Sequence, residues 1–203
     1  MKKLVVLLHG VGSSGAGMEG VAQLLRQLLP DVIVSTPDGT SSFAGGNAGY
    51  QWFSVQDITE NSRPRRIAEA RSAFDGVLRE IFRQHDFVPG EDQLILLGFS
   101  QGAIMALDAL VTNRLPLIAV VAFSGRLSSP EPWSGQIHAK ALLIHGTSDA
   151  VIPWRESENA CVRLRDAGIE VETLFEPGIS HTLSISGIKK AAEYIARRFN
   201  LNG

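Results

Sequence analysis

Cysteine is almost absent from this chain. Cys161 stands alone among 203 residues, which excludes an intramolecular disulfide framework and any cysteine-based zinc cluster. No sign of charge dominates either: 19 Lys and Arg face 21 Asp and Glu, for a formal net charge of −2. Without a basic excess to neutralise phosphates, a nucleic-acid partner is not expected. No apolar run approaches the roughly 20 residues that span a bilayer, so a stable membrane anchor is not expected. Repeats, low-complexity tracts and linker-like shifts of composition are also missing. What is present is an ordinary folded composition, 44% hydrophobic and 20% charged, far from the polar bias of disordered chains. We expect one domain over residues 1–203, large enough to hold a core without covalent staples.

Met1-Lys2-Lys3 followed by Leu4–Leu8 imitates the start of a secretory signal. The apolar run lasts five residues before His9 and Gly10 interrupt it. A signal core needs about 7–15, and no clean cleavage site follows. The segment therefore reads as a buried strand, and the protein as cytoplasmic.

Short apolar runs alternate with longer helical stretches. Lys3–Leu8, Val32–Ser35, Leu94–Leu97, Leu117–Phe123 and Ala141–Ile144 are continuous apolar runs, the pattern of strands covered on both faces in a parallel sheet. Glu170–Phe175 alternates instead, with Val171, Thr173 and Phe175 on one side, so it reads as an edge strand that could pair two copies of the chain. Between these runs, Met18–Leu29, Arg65–His85, Gln101–Val111, Pro153–Ala167 and Ser184–Phe199 carry helical spacing. Strand–helix alternation predicts an α/β fold: an open, mainly parallel sheet of about six strands with helices on both faces. Residues 37–63 and 124–137 read as long loops. The first carries Phe43, Tyr50, Trp52 and Phe53, either as a pocket wall or as anchors that hold the loop to the body.

Gly98-Phe99-Ser100-Gln101-Gly102 is a G-x-S-x-G that follows an apolar strand and opens a helix. Such a junction forces the serine into a strained backbone position with its hydroxyl exposed. The two glycines let neighbouring backbone pass close by. A helix N-terminus beside the hydroxyl favours an oxyanion there. The alternative is a glycine-flanked serine N-cap.

A serine hydroxyl needs a base, and the chain has five histidines. His9 and His145 each end a strand as His-Gly and could be structural or line a pocket. His85 ends the long helix, and His138 sits in a polar stretch. His181 lies in a turn between the last strand and the last helix. That is the carboxyl edge of the sheet, where Ser100 also lies and where open α/β sheets bind ligands. The base in turn needs an orienting carboxylate. Asp149, just beyond the fifth strand, lies at the same edge; Asp38 and Asp57 are the fallback candidates. The chain order Ser100, Asp149, His181 is the one expected of the α/β-hydrolase arrangement. Backbone N–H groups of Gln101 and, by position, Val11 would supply an oxyanion hole.

Other patterns compete for attention. Gly10-Val11-Gly12-Ser13-Ser14-Gly15 imitates a dinucleotide fingerprint, with Asp38 at about the spacing of a ribose-binding acid. Asp38 follows Pro37 rather than ending a strand, however, and that reading leaves Ser100, Asp149 and His181 unexplained. Arg63, Arg65 and Arg66 read either as an anion site or as a solvated helix start. Cys161 reads as a packed small hydrophobe, and no Asp/Glu/His spacing suggests a metal.

Five blocks, taken together, resemble one family. Leu8–Gly12 (L-H-G-V-G), Gln51–Phe53 (Q-W-F), Gly98–Gly102 (G-F-S-Q-G), His145–Pro153 (H-G-T-S-D-A-V-I-P) and Gly178–Thr182 (G-x-x-H-T) are similar to the bacterial carboxylesterase/phospholipase family of α/β-hydrolases, which includes the acyl-protein thioesterases. Trp52-Phe53-Ser54 departs from the Trp-Phe-Asp or Trp-Tyr-Asp of many members and looks like a smaller branch of predicted bacterial esterases. The resemblance implies a reduced α/β-hydrolase fold without a lid domain. It implies Ser100 as nucleophile, Asp149 and His181 as its partners, and Val11 and Gln101 amides as the oxyanion hole, with no cofactor or metal. The expected activity is hydrolysis of a small-molecule carboxylic ester or thioester through an acyl-enzyme. We expect a fairly open site walled by Phe43, Trp52, Phe53, Ile152, Trp154 and Leu183, suited to short or medium acyl chains. A non-catalytic hydrolase-like binding domain and a dinucleotide-dependent enzyme are the alternatives.

Overall fold

The computed structural model describes residues 1–45 and 49–201. Its strands are β1 (Lys3–Leu8), β2 (Ile33–Ser35), β3 (Ser41–Phe43), β4 (Gly49–Gln51), β5 (Gln93–Phe99), β6 (Leu117–Phe123), β7 (Lys140–Gly146) and β8 (Val171–Glu176). Its helices are α1 (Glu19–Leu28), α2 (Arg63–Gln84), α3 (Gln101–Thr112), α4 (Arg155–Asp166) and α5 (Ile185–Arg198). Six strands form one sheet in the order β2-β1-β5-β6-β7-β8, and every pairing in it is parallel. The alternating segment 171–176 lies at an edge, as its pattern predicts.

The continuous apolar runs serve two cores at once. Successive strand residues face opposite sides of a sheet. Leu4, Val6 and Leu8 pack on one side with α2, α3 and α4 residues such as Phe74, Leu107 and Leu164. Val5 and Leu7 pack on the other with Leu25 of α1 and Ile195 of α5. α3 is buried from Gln101 to Val111, which its nearly all-apolar sequence allows. Its one carboxylate, Asp108, accepts two bonds from Arg71 at 3.0 and 2.8 Å and one from Arg114 at 2.9 Å. Among the described residues no helix is long and apolar enough to cross a membrane.

The segment read as a loop over 37–63 holds a small antiparallel hairpin, β3 paired with β4. Strands of three residues are too short to show a period, and Ser and Gly disguise them further. Residues 46–48, inside that segment, lie outside the described residues. β4 also fastens the loop after β1: Gly12 N–H donates to Tyr50 O at 2.8 Å, and Tyr50 N–H to Ser13 O at 2.7 Å. The helices start near their expected positions. α2 begins two residues early, with Pro64 in its first turn, where its missing N–H costs nothing.

Candidate active site

Close backbone packing builds the serine junction. Ser100 precedes α3 at φ +53° and ψ −115°, a conformation that costs a non-glycine residue about 1–3 kcal/mol. Its N–H donates to Phe123 O on β6 at 2.9 Å, and its carbonyl accepts from Ile104 N–H at 3.1 Å. Strand and helix therefore hold the bend between them. Both flanking glycines are sterically required: a Cβ on Gly98 would lie 2.4 Å from Ala103 N, and one on Gly102 only 2.1 Å from Leu8 O.

His181 reaches Ser100 from the turn joining β8 to α5. Gly146 permits that approach, because a Cβ there would meet Ile179 O at 2.1 Å. Ser148 N–H donates to Ile179 O at 2.9 Å. At the ends of the turn, buried Glu176 accepts from the hydroxyls of Ser184 and Ser186 at 2.7 and 2.5 Å, while Ser184 caps α5 by accepting from Gly187 N–H at 2.8 Å. The Phe99 ring packs on the imidazole with centroids 4.9 Å apart. His181 Nε2 then lies 3.0 Å from Ser100 Oγ, and Nδ1 lies 2.7 Å from Asp149 Oδ2. A carboxylate only accepts, so Nδ1 carries the proton and Nε2 is left to accept from the serine.

The Asp149 side chain is fully buried. Its Oδ1 accepts from Val151 N–H at 2.8 Å and Ile152 N–H at 2.9 Å. Burial pulls its pKa upward, but the bonds from His181 and from the two backbone N–H groups outweigh burial and leave it below the usual carboxylate value. The fallback acids do other work or stand apart. Asp38 Oδ1 accepts from Gly15 N–H at 2.8 Å, and a Cβ on Gly15 would lie 1.9 Å from Thr36 O. The glycine loop that imitates a dinucleotide cradle is thus closed against the exit of β2. Asp57 has a left-handed backbone on the 51–63 stretch.

The loop after β1 presents a backbone N–H. Gly39 N–H donates to His9 Nε2 at 2.8 Å, so the proton of this buried ring sits on Nδ1, which donates to Gly10 O at 2.7 Å. Ser13 N–H donates to the same carbonyl at 3.2 Å. In a trans peptide the N–H points opposite to the C=O, so two bonds on Gly10 O aim the Val11 N–H away from them. Gln101 N–H is the first of α3, and no carbonyl of its own helix can reach it.

A cavity of about 360 Å³ opens beside Ser100 and His181, with Val11, Met18, Phe99, Val151 and Leu183 as its apolar lining. Of the six residues expected to wall the site, it takes only Leu183. Phe43 lines a separate concavity with Gln51 and Val55. Trp52 and Phe53 are buried, and a separate concavity beside Arg65 and Arg66 touches them. Trp52 Nε1 donates to His9 O at 2.9 Å. Ile152 is buried, and Trp154 packs at a tilt on Phe175, with the Arg155 guanidinium over its ring. Trp52 and Phe53 are anchors, because rings that size gain most from full burial against the body. Sequence reasoning missed Met18, Phe99 and Val151 as lining; Met18 ends a short 3₁₀ turn before α1, Phe99 ends β5 and Val151 follows β7, and an apolar residue at the carboxyl edge is their only signal.

The Arg cluster also braces the long segment. Arg63 and Arg126 both donate to Glu60 Oε1 at 3.0 Å, and Arg66 donates to Ser54 O at 2.9 Å. Arg65 stays exposed, 3.8 Å from Glu69. Among the described residues no three His, Cys, Asp or Glu side chains converge as metal ligands.

This architecture defines an α/β-hydrolase. Residues 1–198 match the family model for phospholipase/carboxylesterase. The chain is 31% identical over 194 residues to esterase YpfH of Escherichia coli (strain K12), covering 96% of this chain and 82% of that protein. It is 30% identical over 168 residues to acyl-protein thioesterase 1 of Cryptococcus neoformans var. neoformans serotype D, covering 74% of this chain and 68% of that protein. The crystal structure of esterase PE8 superposes with a TM-score of 0.86 at 34% identity, over 97% of this chain and 92% of that one. The chain belongs to the phospholipase/carboxylesterase family, and its activity class is that of a carboxylesterase-type hydrolase.

Proposed function

We propose that this single-domain protein hydrolyses small-molecule carboxylic esters or thioesters of short to medium acyl chains in the cytoplasm, with Ser100, His181 and Asp149 as its catalytic triad. The observation that carries this reading is the unbroken hydrogen-bond line from Ser100 Oγ through both nitrogens of His181 to buried Asp149, 3.0 and 2.7 Å long. Ser100 Oγ attacks the carbonyl carbon while His181 Nε2 takes its proton. The carbonyl oxygen becomes an oxyanion held by the N–H groups of Val11 and Gln101. The tetrahedral species collapses, the alcohol or thiol leaves with the proton from His181, and an acyl-serine remains. Water, deprotonated by His181, attacks the acyl carbon and frees the acid and Ser100.

The cavity supports the acyl-length part of the reading. At about 360 Å³ it lies near the lower end of the usual range for ligand sites, and its lining is mostly apolar. Rates on p-nitrophenyl esters and on matching thioesters from acetyl to palmitoyl test it. We expect a maximum at short or medium length; a maximum at palmitoyl would refute that part. Ser100→Ala should cut turnover by up to about 10⁶ and abolish labelling by a fluorophosphonate probe. A variant that keeps wild-type turnover would refute the triad.

A further inference from the structure

Asp149 is held by more than its triad partner. Its Oδ2 lies 3.1 Å from His145 Nε2 as well as 2.7 Å from His181 Nδ1. With Val151 and Ile152 on Oδ1, four donors fill the roughly four lone-pair sites that a carboxylate offers. His145 is the penultimate residue of β7, four residues before Asp149, and its side chain is fully buried. Its Nε2 also lies 2.8 Å from Ile152 O, which can only accept. The proton is therefore on Nε2, shared between Ile152 O and Asp149 Oδ2. Nδ1 is left to accept from Ser157 Oγ on α4, 2.7 Å away. The result is a chain of five side chains, Ser100–His181–Asp149–His145–Ser157, with the carboxylate at its centre and a hydroxyl at each end.

We infer that His145 is a positioning residue of the triad: Ile152 O locks its uncharged imidazole in one tautomer, and the ring N–H fixes the Asp149 carboxylate and tempers its pull on the proton of His181. This inference rests on the triad reading above. The physical reason is that the His145 N–H dipole points its positive end at Asp149 and, beyond it, at the imidazolium that forms on His181. Removing it leaves the carboxylate less neutralised and stabilises that imidazolium. It also frees one oxygen of Asp149 to turn. Among the charged groups, Asp149 favours the protonated form of His145 and His181 opposes it. α4 presents Ser157 to it, and β8 pairs Phe175 beside it, while Glu176 accepts from Ser184 and Ser186 instead. Burial, the largest influence, lowers its pKa, in keeping with a ring that stays neutral.

Two measurements test the inference. First, kcat and KM on p-nitrophenyl butyrate from pH 5 to 10 are compared for wild type, His145→Leu and His145→Gln. His145→Leu should move the acid limb of kcat/KM upward by roughly one pH unit and lower kcat about tenfold with KM little changed. His145→Gln, which keeps an N–H within reach of Asp149, should restore the limb and much of kcat. A folded His145→Leu enzyme with the wild-type limb, or equal losses in both variants, overturns the inference. Second, ¹⁵N-histidine spectra of the wild-type protein need no variant to fold. His145 should hold its proton on Nε2 and stay uncharged from pH 5 to 9; a proton on Nδ1 or a charged ring at neutral pH overturns the inference. Labelling of wild-type Ser100 by a fluorophosphonate separates the two readings: no labelling refutes the triad, whereas labelling with an unmoved limb refutes only the role of His145.

Discussion

Single residues here often do work that their type alone does not announce. Trp52 sits among loop aromatics and reads equally as a pocket wall or an anchor. Its burial and its bond to His9 O make it an anchor. Gln101 is similar. Besides placing its own N–H at the head of α3, its side chain accepts from Trp52 N–H at 2.8 Å and donates to Phe53 O at 2.7 Å. Gln101→Ala would strand both backbone groups in a buried setting, so we expect a loss of about 2–4 kcal/mol in urea unfolding, with Ser100 still labelled by a fluorophosphonate. Asp149→Asn puts an amide where four donors converge, so at least one donor meets another. We expect kcat to fall about 10⁴-fold through loss of the His181 tautomer, with His85→Ala and His138→Ala near neutral in the same assay. A near-wild-type kcat for Asp149→Asn would show that another acid orients the base.

At the scale of elements, the site is a meeting of four junctions, β1–α1, β5–α3, β7–α4 and β8–α5, and glycines set how closely they approach. Gly102 is the tightest of the serine junction, with Leu8 O in the space a methyl would need. A backbone atom cannot swing aside as a side chain can. Gly102→Ala should therefore force β1 and α3 apart, costing about 3 kcal/mol or more in stability. It should also lower activity in the fraction that folds, because the β1 loop carries Val11. A Gly102→Ala enzyme with wild-type melting temperature and kcat would contradict this packing. The β3–β4 hairpin holds the loop after β1 through Gly12 and Ser13, and the Arg63–Glu60–Arg126 bridge ties the far end of the long segment to the chain after β6.

The whole molecule should show the burial of its histidines as a pH dependence of stability. Burial lowers the pKa of both His9 and His145. The unfolded chain takes up protons on these rings below about pH 6.5, where the folded protein does not. The unfolded state then binds more protons, so stability falls as pH falls. Asp149 adds a second, more acid window: its lowered pKa contributes stability above about pH 4 that is lost as the carboxylate is protonated. We expect the urea midpoint to be level from pH 8 to 7, to decline below about 6.5, and to drop steeply under about 4. His145→Gln should shallow the first decline. A midpoint that is level from pH 7 to 5 in the wild type would contradict the buried neutral rings.

The parallel sheet, its edge strand and the carboxyl-edge placement of Ser100, Asp149 and His181 were legible in the sequence. Those features follow from local signals: apolar runs, helical spacing, and residue types at the ends of strands. The short hairpin was not legible, because three-residue strands hold no period. Nor was the lining of the cavity, since whether an aromatic walls a pocket or plugs a gap depends on what packs against it from distant segments. The part of His145 was hidden for the same reason. A strand-ending His-Gly looks alike whether it is filler or partner, and only the convergence of β7, α4 and the turn after β7 brings Ser157, Ile152 O and Asp149 around one ring. Sequence determines what each short stretch prefers; the fold decides which side chains from separate stretches share a proton.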